Sequence, residues 1–345
     1  MKILIASTFV PFIRGGGTKI VEDLHRELLR RGFESDTLLI PFDSHWPNIA
    51  EQTAALRLLD VGDRADRLIA IRTPAYALRH PNKVAWFIHH HREAYDLWGT
   101  SWGGMPDTEF GRHHRDMMRR SDEIYLRECH RVFANSRIVA NRVLEFNGIR
   151  PRAILYPPLE CDHPFRPGPF GDSILYVSRL NAIKRQGLAL EALRHTDPGV
   201  KLIIAGTGDD PAYQSKLETL AREIGVAERV RFTGWISDTE KAAHTAGCCG
   251  ALYLAFDEDS YGYSTLEAFH AHKPVITLTD SGGSLEVIRN GYNGLVCEPE
   301  PEALAEAMNR LWRDRADGAR MGENAHATLA EFGIDWDRII ERLTA

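Results

Sequence analysis

The chain has few of the features that mark secreted, membrane-spanning or disulfide-stapled proteins. It contains 345 residues but few cysteines, and they are irregularly spaced: Cys129, Cys161, Cys248, Cys249 and Cys297. An odd, scattered set fits reduced thiols rather than a disulfide framework. No apolar run reaches the roughly 18 residues that a transmembrane helix needs. The first residues, 1–7, are too short for a signal peptide and predict a buried strand, so we expect a cytoplasmic protein.

Excess positive charge is also missing. The 42 Lys+Arg are outnumbered by 48 Asp+Glu, giving a net charge of −6, which argues against a nucleic-acid-binding protein. The imbalance lies in the second half, since residues 1–160 carry 23 basic and 20 acidic side chains, against 19 and 28 in the remainder. Length points to two domains, because a single core rarely grows beyond roughly 250–300 residues.

Apolar runs of strand length alternate with amphipathic runs of helix length. The predicted strands are 2–6, 35–40, 83–89, 131–135, 174–177, 200–205, 230–233, 250–256 and 275–278. The alternation breaks once, at 156–172, where five Pro and two Gly indicate a hinge. The pattern predicts two α/β domains with parallel sheets. Ligands bind beyond the carboxyl ends of such strands, so we expect a site in the cleft between the domains.

Two loops that follow predicted strands have the chemistry of phosphate sites. Gly15–Gly17 precede a helix, where glycine permits close backbone approach and the helix N-terminus attracts anions. The pattern is not G-x-G-x-x-G, so the dinucleotide fingerprint is missing. Arg179 and Lys184 follow strand 174–177 and could clamp a diphosphate. The alternatives are an ordinary flexible turn and solvated loop cations.

The stretch 256–274 is the most informative in the chain. Acidic residues follow a buried strand, and backbone amides near Gly262 open a helix that could face a phosphate. Asp259 and Glu267 could both reach one ligand and accept hydrogen bonds from sugar hydroxyls. Asp257 and Asp259 also form D-x-D, a weak metal–diphosphate signature. A solvated acidic loop before a core helix explains the same pattern equally well.

Histidines and arginines in the first half form two further clusters. His89, His90 and His91 end strand 83–89, with His89 and His91 on one face. A role as hydrogen-bond donors or proton carriers is favoured over a metal pair, because no third ligand is spaced to join them. Residues 100–123 contain four arginines among Met and Trp. That segment fits a phosphate-bearing or lipid-linked acceptor or a membrane surface, although a solvated helix face is favoured.

Taken together, these motifs resemble the retaining glycosyltransferases of family 4, which have the GT-B fold. The resemblance runs over nearly the whole chain. The matching motifs are R-x4-K at Arg179 and Lys184, G-[ST]-G at 206–208, V-x-F-x-G at 230–234, G-G-x2-E at 282–286, and Ser136 after a strand. One motif departs from the pattern. The family's E-x7-E pair has Glu267 as its second member but Asp259 as its first, which leaves open whether Asp259 or Glu258 takes that position.

The resemblance implies an architecture and an activity. The fold would be α/β, with two Rossmann-like, doubly wound domains facing across a cleft. Residues 1–160 would bind the acceptor, 161–328 the nucleotide sugar, and 329–345 would form a helix crossing back to the first domain. The activity would be metal-independent, cofactor-free transfer of a sugar, with retention, from a nucleotide diphosphate sugar (UDP-sugar favoured, GDP-sugar next) to a hydroxyl of a glycan, lipid-linked or small-molecule acceptor.

The resemblance also assigns roles to residues. Arg179 and Lys184 would hold the diphosphate, Glu267 the ribose, and His89 would lie near the sugar's C6. The implied catalytic residues are His89, Arg179, Lys184, Asp259 and Glu267. The implied donor-binding residues are Gly16, Gly17, Gly206, Gly234, Trp235, Ile236, Glu258, Tyr261, Gly262, Tyr263, Ser264 and Thr265. The implied acceptor-binding residues are Arg14, His90, His91, Arg92 and Tyr95.

Two alternatives to glycosyl transfer stay open. One is a sugar-nucleotide epimerase on the same fold, since fold does not fix chemistry. The other is a non-catalytic protein that binds sugar nucleotides, suggested by the shorter Asp259. A nicotinamide-dependent dehydrogenase is disfavoured by the missing glycine fingerprint. The expected partners are a nucleotide sugar and an acceptor, with no nucleic acid; peripheral contact with the inner face of a membrane and the oligomeric state are left open.

Overall fold

A computed structural model describes residues 1–12, 15–208 and 210–345. The chain divides into two compact units. Unit 1 combines Met1–Glu160 with Asp335–Ala345, and unit 2 spans Cys161–Ile334. The boundary between Glu160 and Cys161 falls inside the proline-rich segment 156–172.

Unit 1 is built on a five-stranded parallel sheet with strand order β2-β1-β3-β4-β5. Its strands are β1 (Lys2–Phe9), β2 (Glu34–Pro41), β3 (Arg67–Ala70), β4 (Lys83–Phe87) and β5 (Arg131–Ala134). The central strands are buried on both faces, which explains why β4 is apolar almost throughout. The order reverses between β1 and β3, and loops at such a switch point commonly bind ligands.

The helices that follow these strands are α1 (Gly16–Arg30), α2 (Ile49–Leu58), α3 (Glu109–Arg127) and α4 (Arg137–Asn147). Ser136 caps α4 by accepting a hydrogen bond from the Val139 amide at 3.0 Å, and Gly148 ends the helix at φ +63°. Sequence patterning missed α2 and β3. The first has little amphipathic contrast, and the second is only four residues long.

Unit 2 contains a six-stranded parallel sheet with order β11-β10-β9-β6-β7-β8. Its strands are β6 (Ser173–Val177), β7 (Lys201–Ala205), β8 (Val230–Gly234), β9 (Gly250–Tyr253), β10 (Val275–Leu278) and β11 (Gly294–Cys297). Its helices are α5 (Gln186–Arg194), α6 (Pro211–Glu223), α7 (Asp238–Gly247), α8 (Tyr263–His270), α9 (Pro301–Arg313) and α10 (Arg315–Glu331). The strand order reverses between β6 and β9, which makes the loops after these two strands neighbours.

The C-terminal helix α11 (Trp336–Thr344) belongs to unit 1. Trp336 is buried, donates its indole N–H to the Leu159 carbonyl at 2.8 Å, and meets the Trp86 ring edge-on at 6.2 Å. Arg31, directly after α1, binds Asp337 through two nitrogens, at 3.0 and 2.6 Å. Across the residues that the structure describes, no helix has both the length and the apolar character needed to cross a bilayer.

Candidate active site

The carboxyl ends of β6 and β9 place opposite charges side by side in unit 2. Lys184 lies at the end of a short 3-10 turn after β6, and Glu258 lies in the loop after β9. Their side chains form an ion pair between Nζ and Oε1, and the Lys184 ammonium lies 5.8 Å from the centre of the Tyr253 ring. Two of the predicted residues, 74 positions apart in sequence, therefore meet at the switch point of the sheet.

Backbone hydrogen bonds hold the acidic loop between the loops after β6 and β10. The Phe256 amide donates to the Ile183 carbonyl at 3.0 Å, and the Gly283 amide donates to the Glu258 carbonyl at 2.7 Å. Gly282 is at φ +63°, and a Cβ there would lie 2.5 Å from the Glu258 carbonyl oxygen. Only glycine fits this approach, which gives the G-G-x2-E motif a physical reason.

A second ion pair, which the sequence did not reveal, ties the same loops together. Arg185 binds Asp280 through two parallel hydrogen bonds of 2.7 Å, and its guanidinium lies 5.1 Å from the centre of the Phe256 ring. Arg185 holds φ +56°, which is unusual for a side chain with a Cβ. The pair spans 95 residues, so knowledge of the strand order was needed to find it.

Helix α8 begins beside this loop without a side-chain cap. Its N-cap, Gly262, is at φ +71°, and a Cβ there would lie 2.3 Å from the Tyr253 ring. The first amides of a helix have no partner within the helix and attract anions. Tyr261 and Thr265 are buried, and the Thr265 hydroxyl donates to the Tyr261 carbonyl at 2.6 Å. These two residues support the loop, whereas Tyr263 and Ser264 are partly exposed at the helix start.

Glu267 lies on α8, one turn further on, and is only 3% exposed. Its Oε1 accepts a hydrogen bond of 2.6 Å from Nζ of Lys241 on α7. Lys241 also lies 3.0 Å from Asp238. Burial opposes the charge on Lys241, but the attraction of Glu267 and Asp238 outweighs it and raises the pKa of this lysine. The predicted ribose-binding carboxylate is thus part of a buried ion pair that the sequence analysis did not find.

Glu258 and Asp259, the two candidates for the first acidic position, both lie near the Tyr253 ring. The Tyr253 hydroxyl is 3.5 Å from Glu258 Oε2. Burial, reinforced by the charges of Glu258 and Asp259, raises the pKa of Tyr253 well above its usual value. The phenol therefore stays protonated and can donate to a carboxylate. Glu258 is the member of the two that pairs with Lys184.

The loops after β6, β7 and β8 pack against one another through glycine. Gly206 donates its amide to the Gly234 carbonyl at 2.8 Å, and a Cβ on Gly206 would lie 2.0 Å from the Ser178 carbonyl oxygen. Buried Gln186 donates to the Arg179 carbonyl at 2.8 Å, which fixes the backbone of the arginine loop. Trp235, directly after β8, is 73% exposed. Ile236 beside it is partly buried.

The histidines after β4 in unit 1 lie in a different setting. His90 is buried, its Nε2 lies 2.8 Å from Asn147 Oδ1, and its ring lies 4.2 Å from that of Tyr95. Burial lowers the pKa of His90 to about 4. Burial and the nearby Arg72 charge likewise lower the pKa of His89 to about 4, so both rings are neutral near pH 7. Nε2 of His91 is 3.0 Å from the Ser44 carbonyl oxygen.

The remaining predicted acceptor residues are held by carboxylates of unit 1. Arg92 forms an ion pair of 2.7 Å with Asp96. Tyr95 is buried and donates to Asp122 Oδ2 at 2.8 Å, while Tyr76 donates to Oδ1 at 2.5 Å. Burial raises the pKa of Asp122 to about 6 despite these two hydrogen bonds. A direct contact between an acceptor and His90 or Tyr95 would require this core to open.

The glycine loop of unit 1 leads into α1, which begins at Gly16. Gly16 is exposed, whereas a Cβ on Gly17 would meet the Arg72 side chain at 2.9 Å. Arg14 lies outside the described residues. Within the described ranges, no three His, Cys, Asp or Glu side chains are arranged to hold a metal ion, and independence from metal stays a prediction.

The sequence of unit 2 matches a known family. Residues 171–328 match the model of glycosyl transferases group 1. This segment belongs to the glycosyl transferases group 1 family. The match confirms the predicted resemblance at the level of the group, and membership of family 4 is consistent with it.

Two curated relatives of the chain are named as mannosyltransferases. The chain is 31% identical over 171 residues to the alpha-1,3/1,6-mannosyltransferase ALG2 of Homo sapiens, covering 46% of this chain and 41% of that protein. It is 32% identical over 160 residues to the GDP-mannose-dependent alpha-(1-6)-phosphatidylinositol monomannoside mannosyltransferase of Mycobacterium tuberculosis, covering 44% of this chain and 40% of that protein. The chain therefore matches about two fifths of the length of these relatives.

Solved structures resemble the chain over its full length. HepE from Anabaena, crystallised in complex with UDP, is similar with a TM-score of 0.74 and 18% identity, covering 100% of both chains. At this identity the likeness concerns the fold. Two parallel-sheet α/β units and this likeness confirm the predicted GT-B fold class.

Proposed function

We propose that this protein is a retaining glycosyltransferase that moves a sugar from a nucleotide diphosphate sugar to an acceptor hydroxyl. The observation that carries the proposal is the meeting of Lys184 and Glu258 at the switch point, beside the start of α8. The cation and the amides at the helix start suit the negative phosphate, and the carboxylate suits the hydroxyl groups of the sugar. The family of residues 171–328 supports the same activity.

The charges suggest how the leaving group departs. As the bond between the sugar C1 and the phosphate oxygen breaks, its electron pair moves onto the diphosphate. Lys184, Arg179 and the amides at the start of α8 would stabilise this negative charge without further rearrangement of solvent. Lys184 would exchange its pairing with Glu258 for the phosphate. These groups would do the work that a divalent metal does elsewhere, so no metal is required.

Retention of configuration in a single displacement needs attack on the face from which the leaving group departs. We propose that the acceptor oxygen bonds to C1 on that face while its proton passes to the departing phosphate oxygen. The proposal differs from the retaining hydrolases, in which a second carboxylate about 5 Å from the first is the nucleophile. Glu258 or Asp259 would instead bind sugar hydroxyls.

The other parts of the donor have proposed partners in unit 2. Glu267 would bind the ribose, and the exposed Trp235 with Ile236 would flank the base. UDP is the ligand named with the HepE structure, and GDP-mannose is named with the mycobacterial relative. We propose UDP-sugar first and GDP-sugar second. Unit 1 would bind the acceptor, with His89 as a neutral hydrogen-bonding group for the sugar.

A thermal-shift screen with UDP-, GDP- and ADP-sugars tests the proposal. A ligand that binds only the folded protein raises its melting temperature in proportion to the logarithm of its concentration over Kd. We expect one nucleotide series to respond, followed by slow hydrolysis of that sugar nucleotide without acceptor and by transfer with one, both undiminished in EDTA. A lack of response to every nucleotide would contradict the proposal.

The products distinguish the alternatives. Conversion of the bound sugar nucleotide to its epimer, with the nucleotide still attached, would indicate an epimerase. Tight binding without hydrolysis, transfer or epimerisation would indicate a non-catalytic sugar-nucleotide-binding protein.

The variants E258Q and D259N decide which carboxylate takes the first acidic position. We expect E258Q to reduce turnover more strongly, because Glu258 already lies against Lys184 and Tyr253. A larger effect of D259N would assign the role to Asp259.

A further inference from the structure

Lys241 of unit 2 is not among the predicted site residues, although it contacts one of them, Glu267. It lies on α7, which follows the loop with Trp235 and Ile236, and its side chain reaches α8. Its Nζ is 2.6 Å from Glu267 Oε1 and 3.0 Å from Asp238 Oδ1. The chain has few lysines, yet this one is largely buried, with 16% of its side chain exposed.

The ion pair joins α7 and α8, the two helices that follow the loops to which the proposed function assigns the base and the sugar phosphate. A capping box between Ser237 and Glu240 fixes the start of α7, with the Glu240 amide donating to Ser237 Oγ at 3.2 Å. Gly262 fixes the start of α8. Lys241 and Glu267 both lie on the second turn of their helices, so their hydrogen bond sets the spacing between α7 and α8 close to both loops.

Glu267 needs a cationic partner if it is to stay ionised at its buried position. A carboxylate that is only 3% exposed loses its hydration and is costly to keep ionised without a partner. The Lys241 ammonium supplies that partner at hydrogen-bonding distance. An ionised carboxylate accepts hydrogen bonds that are about twice as strong as those of a neutral group.

We infer that Lys241 is a positioning residue that keeps Glu267 ionised and oriented for recognition of the ribose hydroxyls, and so determines the preference for ribonucleotides over deoxyribonucleotides. The inference rests on the proposed function, because it assigns the ribose to Glu267. Lys241 itself does not contact the ribose in this account. Its effect passes through the carboxylate.

Binding of UDP and 2′-deoxy-UDP, measured by calorimetry on the full chain, tests the inference; GDP and 2′-deoxy-GDP replace them if the screen selects guanine. We expect wild type to prefer the ribonucleotide about tenfold or more, the range for a hydrogen bond to a charged group. K241M should bind both nucleotides with nearly equal affinity. K241R, which keeps the cation, should restore most of the preference.

Matched variants separate positioning from general destabilisation. E267Q should lose the same preference as K241M, and the double variant K241M/E267Q should lose no more than either alone. K216A, which removes an exposed lysine of α6, should leave the preference intact. If K241M does not fold, K241Q takes its place in the same comparison.

The outcomes distinguish the inference from the function on which it rests. An unchanged ribose preference in folded K241M or K241Q, with E267Q reduced, would overturn the role of Lys241 and leave the proposed function standing. An unchanged preference in E267Q would overturn both the ribose assignment and the inference. No binding of either nucleotide by wild type would overturn the proposed function and the inference with it.

Discussion

The two units treat polar groups at the carboxyl ends of their strands in opposite ways. In unit 2, charged side chains from neighbouring loops pair with one another across the sheet edge, as Lys184 does with Glu258 and Arg185 with Asp280. In unit 1, His90 and Tyr95 after β4 are buried, and there His90 contacts Asn147 while Tyr95 donates to Asp122. Unit 2 therefore presents charge at its loops, while much of the polar chemistry of unit 1 is satisfied inside its core.

This difference between the units indicates that a diphosphate binds to unit 2. The Lys184–Glu258 pair can exchange its carboxylate for a phosphate, because the incoming anion replaces the counter-charge that the lysine gives up. Buried polar groups with their hydrogen bonds made are costly to separate. Unit 2 can thus offer cations to a diphosphate although its half of the sequence carries the excess of acidic side chains.

The largest expected effect comes from removing a cation of unit 2. K184A should lower turnover roughly 100- to 1,000-fold, the usual loss when a group that stabilises developing charge is removed. Steady-state kinetics with the sugar nucleotide found in the screen measures this loss. K216A, an exposed lysine of the same unit, is the control and should retain full turnover. Turnover of K184A equal to that of K216A would refute the leaving-group role.

Glycine substitutions test whether the loop at α8 depends on close packing. G262A combines an unfavourable positive φ with a clash against the Tyr253 ring and should destabilise the protein by about 2–5 kcal/mol. G225A has the same sign of φ but nothing within 4 Å of its new Cβ, so it should cost only about 1–2 kcal/mol. Urea unfolding compares the two. Equal losses would mean that the ring contact contributes nothing.

Acid should weaken unit 1 through its buried histidine. The pKa of His90 is lowered to about 4, so the unfolded chain binds a proton below pH 6.5 while the folded protein does not. The contribution of neutral His90 to the free energy of unfolding is therefore fully present above about pH 6.5 and is lost as the pH falls towards 4. H90Q should make the melting temperature less dependent on pH in this range, whereas H113Q, an exposed site, should not. If the melting temperature of H90Q depends on pH as strongly as that of the wild type, His90 is not neutral and buried in the folded protein.

The smallest effect concerns an exposed aromatic residue. Trp235 is 73% exposed, so W235A should change stability by no more than about 0.5 kcal/mol. If its ring flanks the base, the nucleotide Kd should still rise about fivefold, at the low end for base stacking. F110A removes an aromatic residue of unit 1 that is 58% exposed and serves as the control. Equal nucleotide affinities of W235A and F110A would exclude the stacking role.

Motif spacing predicted much of unit 2, and the reasons are local. A Cβ on Gly206 or Gly282 would collide with the backbone of a neighbouring loop, and one on Gly262 would collide with the Tyr253 ring, so the motifs reflect local packing. The pairs Arg185–Asp280 and Lys241–Glu267 escaped prediction because they join residues 95 and 26 positions apart through the strand order.

For the histidines of unit 1, the sequence indicated a site but did not reveal which side chains are buried. The run His89–His91 indicated a site, but sequence gives no measure of depth. His90 turns out to be in the core, packed on Tyr95 and bonded to Asn147 across 57 residues. An inward or outward orientation at the end of a strand depends on tertiary contacts that no short pattern contains.

Hydrogen exchange of the full chain, with and without the nucleoside diphosphate that binds, tests the central claim most directly. The account predicts slower exchange in peptides covering 178–186 and 256–270, with little change at 88–97. Protection at 88–97 with none in the two segments of unit 2 would contradict it.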